Sequence, residues 1–166
     1  MESIMSWVIS ALSGHVSREM IVFIISMVPI LELRGGLLAA SVLNINITKA
    51  LWICIIGNII PVPFILLLIT PIFNWLKQTK TFRLMVEKME ARALSKREQV
   101  EKYEFWGLVL FVGIPLPGTG AWTGSLLAAL LGMKFKKAFP AVLLGIALAS
   151  VIMSIVSYGL LGALIH

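Results

Sequence analysis

Residues 111–133 read FVGIPLPGTGAWTGSLLAALLGM. Both ends of this run are apolar, yet its middle holds Pro115, Pro117, Gly118, Thr119, Gly120, Trp122 and Thr123. Proline lacks a backbone donor and clashes with the preceding turn, and glycine weakens a helix, so a continuous membrane helix is not written this way. The helical arms on either side of the break have about a dozen residues each, or roughly 18 Å at ~1.5 Å per residue. That length does not cross a hydrocarbon layer about 30 Å thick. The stretch therefore reads as a re-entrant hairpin that enters a membrane, turns, and leaves on the side it came from. The competing reading is a pair of thin, distorted crossings.

The rest of the chain agrees with a membrane setting. Of its 166 residues 59% are hydrophobic and 13% charged, too little polar surface to cover a soluble core. Mean hydropathy is +0.98. Two uncharged runs, 50–76 and 138–165, each exceed the roughly 20 apolar residues that a crossing needs. The fold class expected is therefore an all-α integral membrane protein. The net charge of +6 does not point to nucleic acid, because eight of the 14 basic residues lie in 77–102 and three more are Lys134, Lys136 and Lys137. Basic residues beside apolar spans report orientation first and contact with membrane lipids second.

Around the two spans the chain divides into recognisable pieces. Residues 1–18 place Met5, Val8, Ile9 and Leu12 at helical spacing and suit an amphipathic interfacial helix. Residues 19–48 form a second broken apolar piece, centred on PILELRGG with Pro29, Glu32, Arg34, Gly35 and Gly36. Residues 49–76 are a transmembrane helix, with Trp52 and Trp75 suited to its two interfaces. Residues 77–104 are polar and helical, with Arg97–Glu101 and Glu98–Lys102 at i,i+4. Residues 105–133 are the hairpin quoted above, and 138–166 a second transmembrane helix. Asn46-Ile47-Thr48 matches a glycosylation sequon but reads as a helix start at the membrane surface.

Shifting the chain by 88 residues lays Phe23 on Phe111, Pro29 on Pro117, Gly36 on Gly124, Lys49 on Lys137 and Gly57 on Gly145. Hairpin plus span is thus a repeat, 19–76 and 105–166. One crossing between the copies inverts the second, as in many transporters. The side holding 77–104 and the second hairpin's mouth carries 11 of the 14 basic residues and is expected to be cytoplasmic. Both termini then fall on the outer side.

Backbone at a hairpin tip cannot bond in helical fashion, and at membrane depth it is tolerated only against protein or a water-filled cavity. Two tips entering from opposite faces can meet and line one polar site. Glu32 and Arg34 are the only ionisable residues in the presumed hydrocarbon region, and such residues mark function by default. Either Glu32 takes a proton or cation and Arg34 an anion, or the pair neutralises itself and pins the hairpin. Pro115 and Pro117 stop one half-helix, Gly118 and Gly120 permit close approach, and Thr119 or Thr123 can cap the next half-helix. Its N–H groups would then face the cavity. Trp122 either stacks on a ligand or fills the tip. Pro61 and Pro63 free the carbonyls of Gly57 and Ile59, and Asn58 either lines the cavity or bonds a neighbouring helix.

Cys54 is the one cysteine and reads as a small buried apolar residue; His15 and His166 have no metal-ligand spacing. There is no phosphate-binding loop and no Asp, so neither an enzyme nor a cofactor is expected.

PILELRGG, GNIIPVPFILL (57–67) and KYEFWGLVLFVGIPLPGTGAWTGSLLAALLGM (102–133) resemble the small multidrug export protein family over most of residues 19–160. The family form is closer to ELRGAIP, and this chain lacks that proline. The resemblance implies drug efflux. The paired hairpins are also similar in architecture to DedA membrane proteins, which implies proton-linked flipping of polyprenyl-phosphate lipids. The expectation is a proton-linked homodimeric transporter of an amphipathic small molecule or anionic lipid. Export of cationic drugs, lipid flipping and a non-transporting scaffold are the alternatives.

Overall fold

The computed structural model describes residues 16–95 and 104–160. The interfacial helix expected over 1–18 and the charge pairs at 97–102 fall almost wholly outside them. Among the described residues every regular element is helical. Helix α1 spans Arg18–Met27, α2 Glu32–Val42, α3 Ile47–Ile59, α4 Pro61–Lys77, α5 Lys80–Leu94, α6 Glu104–Gly113, α7 Ala121–Leu130 and α8 Phe135–Ser154, which runs on into π-helical turns at Ile155–Leu160.

Local chemistry sets these boundaries. Ser17 caps α1 by accepting the Met20 N–H at 3.3 Å. The helix ends at Val28, whose ψ of 132° is the extended conformation that the following Pro29 enforces. Ile30 and Glu32 then turn the chain with φ of 79° and 49°. The break is therefore at 28–31, at the Pro29 end of the expected PILELRGG centre. Gly35 and Gly36 lie inside α2 because they are needed there for packing. Asn46 caps α3 by accepting the Thr48 N–H at 3.0 Å, so the sequon is a helix start. Ile60 keeps helical angles across Pro61, and 47–77 becomes one apolar stretch of 31 residues. Phe135–Gly159, 25 residues long, is the other helix long and apolar enough to cross a membrane.

Both short-armed pieces fold back on themselves. At the first, the Arg18 guanidinium donates to the Leu43 carbonyl at 3.4 Å, and Lys49 pairs with Glu19 at 2.8 Å. The start of α1 and the end of α2 thus share one mouth. At the second, Lys137 pairs with Glu104 at 3.0 Å and closes the mouth between α6 and α8. Lys49 and Lys137 are the lysines that the 88-residue shift superposes. The mouths sit at opposite ends of α8. Its far end returns to the first hairpin, where the Tyr158 hydroxyl donates to the Ile45 carbonyl at 2.9 Å and Ser41 to the Ser157 carbonyl at 3.1 Å. Twenty helical residues separate these points, about 30 Å.

Each first arm packs on its own span, α1 on α3 and α6 on α8. The second arms also cross over, α7 onto α4 and α2 onto α8. Glycines make the close contacts. A Cβ on Gly57 would meet the Phe23 carbonyl at 3.0 Å, and one on Gly145 the Val109 carbonyl at 3.0 Å. A Cβ on Gly36 would meet the Ser26 hydroxyl and the Cys54 sulfur, the latter at 2.8 Å; one on Gly124 would meet Val112. Both pairs of glycines coincide under the 88-residue shift. Inside lie Ile25, Leu31, Leu33, Leu37, Leu108, Val112, Leu127 and Ile146, all fully buried. Outside, Trp52, Phe64, Leu67, Trp75 and Val151 are each more than half exposed, an apolar surface suited to lipid rather than water.

Candidate functional site at the hairpin tips

Helix α7 begins without a capping side chain of its own. Its N-cap is Gly120, at φ 133°, and the first N–H groups that follow have no partner within the helix. The partner arrives from the other hairpin. Glu32, buried at 5% exposure, accepts the Ala121 N–H on Oε2 and the Trp122 N–H on Oε1, both at 3.0 Å. A carboxylate suits this position, where the helix dipole is positive. A Cβ on Gly120 would fall on that carboxylate. Glycine is therefore required twice here, for the backbone angle and for the space.

Two residues on, Arg34 serves the other side of the same turn. Its Nη1 donates to the Leu116 carbonyl at 2.8 Å, and its Nη2 to Thr119 Oγ1 at 2.9 Å and the Ile114 carbonyl at 3.3 Å. These carbonyls follow the end of α6, where helical acceptors run out of donors. Thr119 Oγ1 also lies 2.9 Å from the Ile114 carbonyl and 2.8 Å from that of Leu116, and it accepts the Leu116 N–H at 3.2 Å. The Trp122 indole closes the junction by donating to the Met27 carbonyl, at the end of α1, at 3.1 Å.

The two tips therefore meet, as PILELRGG and PLPGTG suggest, but their chemistry differs from the expectation. The α7 N–H groups do not face an open cavity, because Glu32 occupies them. Neither Thr119 nor Thr123 caps α7: Thr119 ties its own turn, and Thr123 lies partly exposed in the first helical turn. Gly118, at φ 75°, and Pro117 are exposed at the bend, and Pro115 is half-buried. Gly35 and Gly36 stand apart from the junction, against Leu31 and against Ser26 and Cys54. Asn58 is buried at 2% exposure, and its Oδ1 has no hydrogen-bond partner. The contributions of Met27, Ile114, Leu116 and Ala121 are made by backbone, which leaves no side-chain signal. The bare Gly120-Ala121 start was the available clue that a cap must come from elsewhere.

Two grooves are open to the surface, one beside this junction and one at the mouth of the first hairpin. One, of about 520 Å³, runs from Met27 and Trp122 past Ile60 and along Phe64, Leu68 and Ile72 of α4. The other, of about 390 Å³, lies between the start of α3 and the end of α8, with Thr48, Trp52, Ser150 and Ser154 in its walls. Glu32 and Arg34 line neither. Among the described residues no group of three His, Cys, Asp or Glu side chains could hold a metal ion.

Residues 32–152, from Glu32 itself to the last turn of α8, match the model of the family described as "Putative small multi-drug export protein". The chain belongs to the small multi-drug export protein family. The matched segment contains Glu32, Arg34, the turn at 114–120, the helical stretch 47–77, the linking helix α5 and most of α8. No curated protein and no solved structure matches the chain. Its family and its two long apolar helices together point to a membrane protein.

Proposed function

We propose that the chain is a membrane transporter in which the Glu32–α7 junction is the latch of a translocation pathway. The observation that carries this reading is the reciprocal bonding of the tips, Glu32 to the start of α7 and Arg34 to the end of the α6 turn. In this reading 19–48 and 105–133 are re-entrant hairpins of an inverted repeat, and their mouths open to opposite faces. The face with 77–104 is cytoplasmic, and both termini are on the outer side.

A proton or a cationic cargo group that neutralises Glu32 weakens its hold on the Ala121 and Trp122 N–H groups. The tips then separate, and the two repeats rock about them. The groove at Met27, Phe64, Leu68 and Trp122 adjoins the latch and opens along α4. It suits the apolar part of an amphipathic small molecule, while the polar part displaces the latch. Pairing of two copies would complete a wall that two spans alone leave thin.

Reconstituted protein tests this. A quaternary-ammonium dye and a fluorescent anionic phospholipid are offered to vesicles with an imposed pH gradient. Gradient-driven movement of either, lost in Glu32→Gln, supports the latch. Movement with unchanged pH dependence in Glu32→Gln removes Glu32 from the coupling.

One observation favours a second reading, a non-transporting scaffold. Both Glu32 oxygens and both terminal nitrogens of Arg34 are already bonded within the chain, as a static pin requires. Absence of transport for both probes, with normal folding, supports the scaffold.

A further inference from the structure

Helix α5 begins three residues after Lys77, the end of the 31-residue span, and so starts at the membrane boundary. It places Phe82, Met85, Val86 and Met89 at i, i+3, i+4 and i+7, one face of a helix. Val86 is fully buried, and α5 packs on α4 and α7. The remainder of that face is bare: Phe82 is 44% exposed, Met85 50% and Met89 43%.

The charges are arranged just as unevenly. Glu87 is taken by Arg83 at 2.8 Å, and Glu90 by Lys77 at 2.6 Å. Lys88 and Arg92, one turn apart beside the methionines, are exposed and have no ion-pair partner among the described residues. Glu87 and Glu90 are neutralised from within the chain, and Lys88 and Arg92 are left outward next to an apolar strip. That is the pattern of a helix lying in a membrane interface of negative charge.

We infer that α5 is an in-plane docking surface for anionic lipid, with Met85 and Met89 at the acyl boundary and Lys88 and Arg92 on the headgroup phosphates. The inference rests on the two long helices spanning the bilayer, and not on the transport reading. Because α5 packs on α7, lipid headgroups bear on the arm that carries the Glu32 contact.

Spin labels at Met85→Cys, Met89→Cys, Glu87→Cys and Ala91→Cys, with the buried Cys54 left in place, test it in phosphatidylcholine and phosphatidylglycerol vesicles. Labels at 85 and 89 should relax with oxygen and resist an aqueous nickel chelate, and labels at 87 and 91 the reverse. Phosphatidylglycerol should lower nickel access at 85 and 89, by about fivefold for each basic residue in contact. Lys88→Gln with Arg92→Gln should remove that difference while a label at Leu68 remains in lipid. Equal nickel access at all four positions overturns the in-plane placement. Indifference to lipid charge, or a difference that survives the double substitution, overturns the anionic docking. A Leu68 label open to nickel overturns instead the membrane span on which the inference stands.

Discussion

The Glu32 carboxylate holds the first two N–H groups of α7, those of Ala121 and Trp122, each at 3.0 Å. Residues 89 and 90 positions apart thus form one helix cap. Through it each hairpin depends on the other for its polar satisfaction, which makes the tips a single cooperative unit.

Glu32→Gln keeps the shape but has one acceptor oxygen where the carboxylate has two. One α7 N–H is then left facing an amide nitrogen, at a cost of about 1–3 kcal/mol. The midpoint of thermal unfolding in detergent should fall. Glu32→Ala should fall further, since both N–H groups lose their partner.

Gly120→Ala combines a disfavoured backbone angle with a methyl placed on the Glu32 carboxylate. The angle alone costs about 1–3 kcal/mol. A control is Gly132→Ala, also at positive φ but with open space around its Cβ. Gly120→Ala should lower the unfolding midpoint more than Gly132→Ala, the excess combining the harsher backbone angle at Gly120 with the contact with Glu32.

Arg34→Lys retains the charge and loses the planar fork. A single ammonium cannot hold the Leu116 and Ile114 carbonyls and Thr119 in one fixed geometry as the guanidinium does. A loss of about 2 kcal/mol is expected. The unfolding midpoint in detergent should fall in this variant and stay unchanged in Lys137→Ala.

The clasps at the two mouths should matter little to stability. Lys137 and Glu104 have side chains 62% and 68% exposed, and pairs of that kind contribute little. Glu104→Gln should leave the unfolding midpoint unchanged. Any effect it has on transport would then report a gating role.

Much of this was legible before any coordinates. Pro29 and the PLPGTG turn marked the two breaks between short helices. The coincidences at Gly36/Gly124, Gly57/Gly145 and Lys49/Lys137 located matching contacts. Composition also singled out Glu32 and Arg34, because charge among apolar neighbours is conspicuous.

What their partners are was not legible, because the partners are backbone groups. A peptide N–H is the same in every residue, so nothing in the letters Ala121 and Trp122 marks them as donors to Glu32. That the break uses only the Pro29 end of PILELRGG, with Gly35 and Gly36 inside α2, was not legible for a related reason. Glycine serves both turns and close helix packing, and only the neighbours Ser26 and Cys54 show which use applies.

Side-specific labelling of four single cysteines with a membrane-impermeant maleimide probes the architecture most simply. Val16→Cys and Asn44→Cys flank the first hairpin, while Glu104→Cys and Lys134→Cys flank the second; all four residues are exposed. If the hairpins dip in from opposite faces and join at Glu32, 16 and 44 react from one side of the membrane only, and 104 and 134 only from the other. Reaction of 16 and 44 from opposite sides, or of all four from the same side, would mean that the hairpins are not re-entrant from opposing faces.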